Sequence, residues 1–98
     1  MAKRTKSQQT KHDRKVGQIA ERLKRQGWIV EADLSGYERP GAIGKDQHIP
    51  DIVARKSGAE RIIEVETPET MEVDKKQHEA FRRSAARKKR TSFQIEEA

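Results

Sequence analysis

Apolar residues recur at helical spacing in two parts of the chain. The first stripe consists of Val16, Ile19, Ala20 and Leu23. Its intervals of three and four residues predict a helix from about residue 11 to 26, ended by Gly27. The second stripe consists of Val73, Gln77, Ala80, Phe81 and Ser84. It predicts a helix from about residue 69 to 89, with Thr67 or Thr70 as the capping residue.

Short segments rich in strand-forming residues lie between and after these helices. The predicted strands cover residues 28–34, 49–54, 61–67 and 92–95. Ser57-Gly58 is a turn signal that makes the second and third strands a hairpin, whereas the glycine-rich stretch 35–48 indicates a long loop. The pattern therefore predicts an α/β fold in the order α-β-β-β-α-β, with a mixed central sheet flanked by helices.

The length of 98 residues suits one small domain. Residues 1–10 contain no apolar residue beyond Met1 and Ala2, so we expect a basic flexible tail there and a domain over residues 11–98. Hydrophobic residues make up 32% of the chain and charged residues 39%, which predicts a thin core. The absence of cysteine excludes disulfides and thiolate metal sites. The remaining metal ligands are carboxylates and the histidines His12, His48 and His78, which show no zinc spacing.

No apolar run approaches the roughly 20 residues needed to span a bilayer, and the basic N-terminus lacks the apolar segment of a signal peptide. We therefore expect an intracellular, cytoplasmic protein without a membrane partner.

Positive charge is concentrated near the two ends of the chain. Residues 1–15 carry six basic side chains against one acid, and residues 82–90 carry six basic side chains and no acid. The second group consists of Arg82, Arg83, Arg87, Lys88, Lys89 and Arg90. The net charge of +6 therefore hides an acidic centre, an arrangement that favours a polyanion such as DNA as the partner. Complementarity to the helix dipole is the alternative explanation of the basic helix end.

Three acids fall on the predicted hairpin. Glu64 and Glu66 are two residues apart, so they share one face of their strand, and Asp51 lies at the start of the preceding strand. A divalent cation bound by oxygen ligands, Mg²⁺ or Mn²⁺, would remove the repulsion between converging carboxylates. The alternative is that these acids form the solvated face of a half-buried sheet.

These residues resemble the PD-(D/E)xK nuclease superfamily. Pro50-Asp51 corresponds to the first half of its motif and Glu64-Val65-Glu66 to the second, and the predicted element order matches its core over nearly the whole chain. The chain departs from the family in having Glu66 where lysine is usual, although some members carry glutamate there. The resemblance implies that Asp51, Glu64 and the backbone carbonyl of Val65 ligate Mg²⁺ or Mn²⁺. It also implies that Glu66 either joins the metal site or accepts a proton from water.

Further residues are candidates for the same site. A helix-one acid joins the metal site in some members of the family, which makes Glu21 a candidate. The positive charge of the missing motif lysine could come from Lys56, or from Lys75 or Lys76. Lys45 and His48 precede Asp51 closely enough to face a bound phosphate, and either Glu31 or Asp33 on the first strand could approach it.

The leading hypothesis is thus a metal-dependent nuclease that hydrolyses DNA phosphodiester bonds. The alternative, favoured by Glu66 in place of lysine, is a catalytically inactive nucleic-acid-binding module that retains the nuclease fold. A third reading is a structural protein whose acidic strand face is solvated. The sequence leaves open whether the chain is a homodimer.

Overall fold

The computed structural model describes residues 5–68, 70–71 and 74–98. Two helices and four strands follow one another in the predicted order. They are α1 (Lys6–Arg25), β1 (Ile29–Ala32), β2 (Ile52–Lys56), β3 (Ala59–Glu66), α2 (Lys75–Arg87) and β4 (Thr91–Glu97). The α/β class and the α-β-β-β-α-β order are therefore confirmed.

The four strands form one mixed sheet in the order β1-β2-β3-β4. The β1–β2 and β2–β3 pairs are antiparallel, whereas β3 and β4 are parallel and are connected by α2. The β2–β3 hairpin runs from the pair Lys56 and Ala59 beside the turn to the pair Ile52 and Ile63. β3 continues beyond that pair to Glu66, so its last residues have no partner on β2.

The two helices cover opposite faces of the sheet. α1 buries Val16, Ile19 and Leu23 against Ile63 and Val65 of β3. α2 buries Phe81 and Ala85 against Ile62 on the other face, beside Phe93 of β4. Because side chains alternate along a strand, Glu64 and Glu66 point to the α2 face with Ile62. The thin core is thus split in two by the sheet, and the acids lie in the α2 half.

α1 begins earlier than the sequence predicted. Thr5 and Gln8 form a capping box, in which the Gln8 N–H donates to Thr5 Oγ1 at 3.2 Å and the Thr5 N–H donates to Gln8 Oε1 at 2.8 Å. Residues 6–10 are therefore helical, so the predicted helix start near residue 11 is too late, whereas the flexibility of residues 1–10 stays a prediction. Residues 1–4 lie outside the described residues. At the other end Gly27 has φ +91°, as its predicted role as a helix stop requires.

α2 is shorter than the sequence predicted at both ends. Thr67 and Thr70 precede the helix as turn residues, because the Thr70 N–H donates to the Thr67 carbonyl and the Thr70 hydroxyl is used by Glu66. The helix therefore begins at Lys75 rather than near residue 69. Lys88 is already extended, so the predicted helical end at 89 is also too late. Val73, predicted for the apolar stripe, lies outside the described residues.

The long loop predicted over residues 35–48 is present and carries a small bridge between Ile43 and His48. Ile43 packs against the Phe81 cluster, and the His48 ring meets the Phe81 ring edge-on with 6.2 Å between centroids. The loop is thereby held against α2. Neither α1 nor α2, within the described part of the chain, is long and apolar enough to cross a membrane.

Candidate metal centre

Two buried glutamates and a buried histidine meet at the end of β3. Glu64 and Glu66 are each 1% exposed, and His78 reaches them from the second turn of α2. One ligand atom from each of the three residues lies within 4.8 Å of the other two. Two carboxylates and an imidazole at this separation form a donor set that could hold a metal ion.

Glu66 is held by the segment that leads into α2. Its Oε1 lies 3.0 Å from His78 Nε2, and its Oε2 accepts a hydrogen bond from the Thr70 hydroxyl. Burial raises the pKa of Glu66 above its usual value, and the hydrogen bonds from Thr70 and His78 oppose that rise. Glu66 is therefore a fixed carboxylate rather than the solvated acid of the alternative interpretation.

Glu64 is held from two sides. Gln77 Nε2 donates to its Oε1 at 2.5 Å, and the Asp51 backbone N–H donates to its Oε2 at 2.7 Å. Burial raises the pKa of Glu64 well above its usual range, and the nearby Asp51 carboxylate raises it further. Two acids are thus crowded together in a site with little water, as the sequence predicted for Asp51 and Glu64.

The Asp51 carboxylate, however, is turned toward the backbone and α1. Its Oδ2 accepts a hydrogen bond from the Val65 N–H at 2.8 Å and lies 3.2 Å from His12 Nε2. The reason lies in the strand register. The last residue of β3 that pairs with β2 is Ile63, so the Val65 N–H donates to the Asp51 side chain instead. Asp51 therefore borders Glu64, and the compact group among the described residues is completed by His78 instead.

His12 links Asp51 to α1. Its Nδ1 lies 3.0 Å from Asp13 Oδ1, while its Nε2 faces Asp51, so the buried ring stands between two carboxylates. The Asp51 side chain is 16% exposed, more than either glutamate. The predicted role of the Val65 carbonyl as a ligand stays a prediction.

Several sequence candidates lie away from this centre. Glu21 is on α1, where it accepts a hydrogen bond from the Tyr37 hydroxyl and pairs with Lys24. Lys56 lies at the turn end of the hairpin, where its Nζ donates to the Gln26 carbonyl at 2.6 Å. Lys56 pairs with Ala59, so it lies at the opposite end of β3 from Glu66. Glu21 belongs to α1, which covers the other face of the sheet from α2 and the two glutamates.

The acids predicted on the first strand have ion-pair partners elsewhere, and two of the candidate lysines lie at the start of α2. Glu31 pairs with Arg55 at 2.8 Å, and Asp33 pairs with Arg39 at 3.4 Å, so each has a cationic partner outside the centre. Lys75 and Lys76 open α2, one turn before His78 and beside Gln77, and they are the candidate lysines nearest to the cluster along the chain.

The six basic residues at positions 82–90 do not form one continuous cationic end. Arg83, Arg87 and Lys88 line a groove beside α2. The Arg82 guanidinium lies over the Phe93 ring, 5.4 Å from its centroid. Arg90 donates to the Ser57 carbonyl at 2.8 Å, and Lys89 precedes β4. The break follows from the end of α2 at Arg87, after which the chain turns toward the sheet.

Sequence reasoning missed the residues that complete the site. The sequence offers His78 and His12 as metal ligands, but no spacing links them to the acids. Its helical pattern places Gln77 on the apolar stripe of the second helix. The link between Glu66 and His78 depends on the backbone hydrogen bonds from Thr70 to Thr67 and from Asp74 to Thr70, which precede α2. An alternation of acids on a strand followed by polar residues on the inner face of the next helix is the signal that could have found them.

The donor set fits a divalent cation of the carboxylate-binding kind. Carboxylates suit Mg²⁺ and Mn²⁺, and the additional imidazole favours Mn²⁺ over Mg²⁺, because nitrogen ligands suit transition metals better. Crowded buried carboxylates are also the groups that a bound cation would stabilise in their ionised form. A scan against protein-family models and a search of curated proteins found no match to this chain.

Proposed function

We propose that this protein is a metal-dependent nuclease that hydrolyses phosphodiester bonds in DNA. The observation that carries the proposal is the convergence of Glu64, Glu66 and His78 at one end of β3, with Asp51 beside them. A fold whose strand acids were merely solvated would leave these glutamates exposed, whereas each is 1% exposed. The resemblance of Pro50-Asp51 and Glu64-Val65-Glu66 to the nuclease motif supports the same reading.

The chain's own residues would hold the metal ion and orient the carboxylates that bind it. Glu64, Glu66 and His78 would hold Mn²⁺ or Mg²⁺, whose bound charge supplies Lewis-acid stabilisation of the reacting phosphodiester. Gln77 and the Asp51 N–H fix the Glu64 carboxylate by hydrogen bonds. Little conformational entropy is therefore lost in orienting this carboxylate when a substrate binds. Asp51 is the most exposed of these acids, and its own carboxylate is held by the Val65 N–H. All these donors come from a single chain.

The test is cleavage of labelled DNA with Mn²⁺ or Mg²⁺, offered as duplex, single strand and branched substrate. We expect Mn²⁺-dependent cleavage by the wild type and a loss of at least about 100-fold for Glu64→Gln and Asp51→Asn, because each removes a charge that the site needs. Glu38→Gln, an exposed change in the loop after β1, is the matched control and should retain activity.

Binding of the same DNA should survive Glu64→Gln, because the acids and the basic residues have separate tasks. Wild-type protein that cleaves none of the three substrates with either metal would contradict the nuclease proposal.

The second candidate is a nucleic-acid-binding module that keeps the fold without catalysis. It is favoured by the hydrogen bonding of the two glutamates, since each of their four carboxylate oxygens already has a protein partner. Such a satisfied network can serve as a structural element of the core. This candidate predicts DNA binding by the wild type with no cleavage and with no response to Mn²⁺.

A further inference from the structure

A groove of about 650 Å³ runs between the outer face of α2 and the loop at residues 44–46. Its cationic lining consists of Lys45, Lys76, Arg83, Arg87 and Lys88. Among the residues that the structure describes, two acids, Asp46 and Glu79, line it as well, so the described lining is net positive. The groove lies apart from the buried carboxylates, although Lys76 adjoins Gln77, which contacts Glu64.

The sequence separates these cations, and the fold brings them together. On α2 the groove residues recur every three or four positions, which places them on one outward stripe. Lys45 comes from the loop, which is held over α2 by three contacts: Ile43 with the Phe81 cluster, the His48 ring with the Phe81 ring, and Gly44 close to Ala80. A cation from a distant part of the chain is thus fixed opposite the helical ones.

The charge in the groove is largely uncompensated. Within residues 5–68, 70–71 and 74–98, the salt bridges involve only Arg83 among the five cations. Its partner is Glu79, at 3.7 Å, and both side chains are about two-thirds exposed, so the pair is weak. By contrast Arg82 is stacked on Phe93 and Arg90 is bound to the Ser57 carbonyl. The basic residues that line the groove are therefore different from those that contact an aromatic ring or a backbone carbonyl.

We propose that the sugar-phosphate backbone of one DNA strand lies along this groove, an inference that rests on the proposed nuclease function and names its substrate-binding surface. Residues 76–87 of α2 extend ~17 Å at the rise of a helix, which is long enough to meet several successive phosphates of one strand. Lys and Arg side chains on both walls supply the charge that phosphates require. Along α2 the groove runs from Lys76, next to the Gln77 that contacts Glu64, to Lys88.

The first experiment compares two charge-matched triple variants. The groove variant is Lys45→Gln, Arg83→Gln and Arg87→Gln, and the control is Lys11→Gln, Arg14→Gln and Arg22→Gln, all exposed on α1 across the sheet. Binding of a short fluorescent duplex is measured against salt concentration without divalent cation. For the groove variant the slope of log affinity against log salt should fall by about 0.9 for each lost phosphate contact, while the control slope stays near that of the wild type.

A second experiment uses a gain of affinity, which a misfolded variant could not produce. Glu79→Gln removes a negative charge from the groove, so it should tighten DNA binding, whereas Glu38→Gln, exposed and outside the groove, should not. Equal effects of the two triple variants, no effect of the groove variant, no change with Glu79→Gln, or no DNA binding by the wild type would each overturn the proposal.

The experiments distinguish a failure of the groove proposal from a failure of the nuclease proposal. If the wild type cleaves DNA and the groove variant binds and cleaves equally well, the groove proposal falls and the nuclease stands. If the wild type never cleaves but the groove variant alone loses salt-dependent binding, the groove stands and the chain is the binding module.

Discussion

Glu64 is a buried carboxylic acid whose neighbours include a second acid. Burial and the Asp51 carboxylate both disfavour its ionised form, while Gln77 and the Asp51 N–H hold its oxygens in place. Ionising Glu64 at neutral pH therefore costs stability unless a cation is bound. Under the proposed function, Glu64 would therefore also be the residue at which metal binding and folding are coupled.

This coupling predicts a pH dependence in metal-free buffer. The pKa of Glu64 is higher in the folded state than its unfolded value near 4.5, so the folded state binds more protons above that pH. Its stabilising contribution is complete below pH 4.5 and is lost as pH rises toward the folded pKa, at a slope of at most about 1.4 kcal/mol per pH unit. Glu64→Gln should make this decline shallower, and the raised pKa of Glu66 should leave part of it, as measured by urea unfolding at several pH values.

The matched control for this experiment is Glu79→Gln, because Glu79 is exposed and its removal should leave the pH profile parallel to that of the wild type. A Glu64→Gln profile that also ran parallel to the wild type would contradict the burial argument. The same series with Mn²⁺ added should be flatter for the wild type, since the cation stabilises the ionised carboxylate.

At the residue scale, the sequence located the acids but not their companions. The period of two placed Glu64 and Glu66 on one face because strand geometry is local. His78 and His12 come from helices on opposite faces of the sheet, and their approach depends on turns and helix packing that no spacing encodes. The Asp51 side chain is turned toward Val65 because β2 begins only at Ile52, a register effect that is also non-local.

At the element scale, the loop at residues 43–48 acts together with α2. Gly44 adopts φ +80°, a conformation that costs a residue with a side chain about 1–2 kcal/mol, and its Cα approaches Ala80 closely enough for an added Cβ to lie 3.5 Å away. The strain of a substitution would therefore fall on the turn that presents Lys45 to the groove.

We expect Gly44→Ala to lower the stability of this loop by about 1 kcal/mol and to weaken DNA binding, with Mn²⁺ binding unchanged. Gly41→Ala is the control, because Gly41 has an ordinary φ and open space around it. Fluorescence anisotropy with the same duplex compares the two. Identical affinities for Gly44→Ala and Gly41→Ala would show that the loop does not position a DNA contact.

Element order was predictable, and element ends were less so. The apolar stripe of α1 and the stop at Gly27 are local signals, and both were correct. The start of α1 was missed because residues 6–10 lack apolar side chains, and the Thr5 capping box determines it instead. The start of α2 was missed because Thr67 and Thr70, which have the chemistry of caps, bond to the turn and to Glu66.

At the scale of the whole molecule, β3 connects the two halves of the protein. Its Ile63 and Val65 pack under α1, while Ile62, Glu64 and Glu66 face α2, so one strand carries the shared core and the acids. The charge follows the same division, since the buried acids and the cationic groove both belong to the α2 side. In the proposed function the metal ion would lie beneath α2 and the DNA strand along its outer face, so both would be on the same side of the sheet.

The most direct test of this account is a titration of the protein with Mn²⁺, followed by the loss of the electron paramagnetic resonance signal of the free ion. The account predicts a single Mn²⁺ bound per chain by the wild type and by the double variant Asp46→Asn and Glu79→Gln, which removes two exposed acids. It predicts no such binding by the double variant Glu64→Gln and Glu66→Gln. Wild-type protein that binds no Mn²⁺, or equal binding by both double variants, would contradict it.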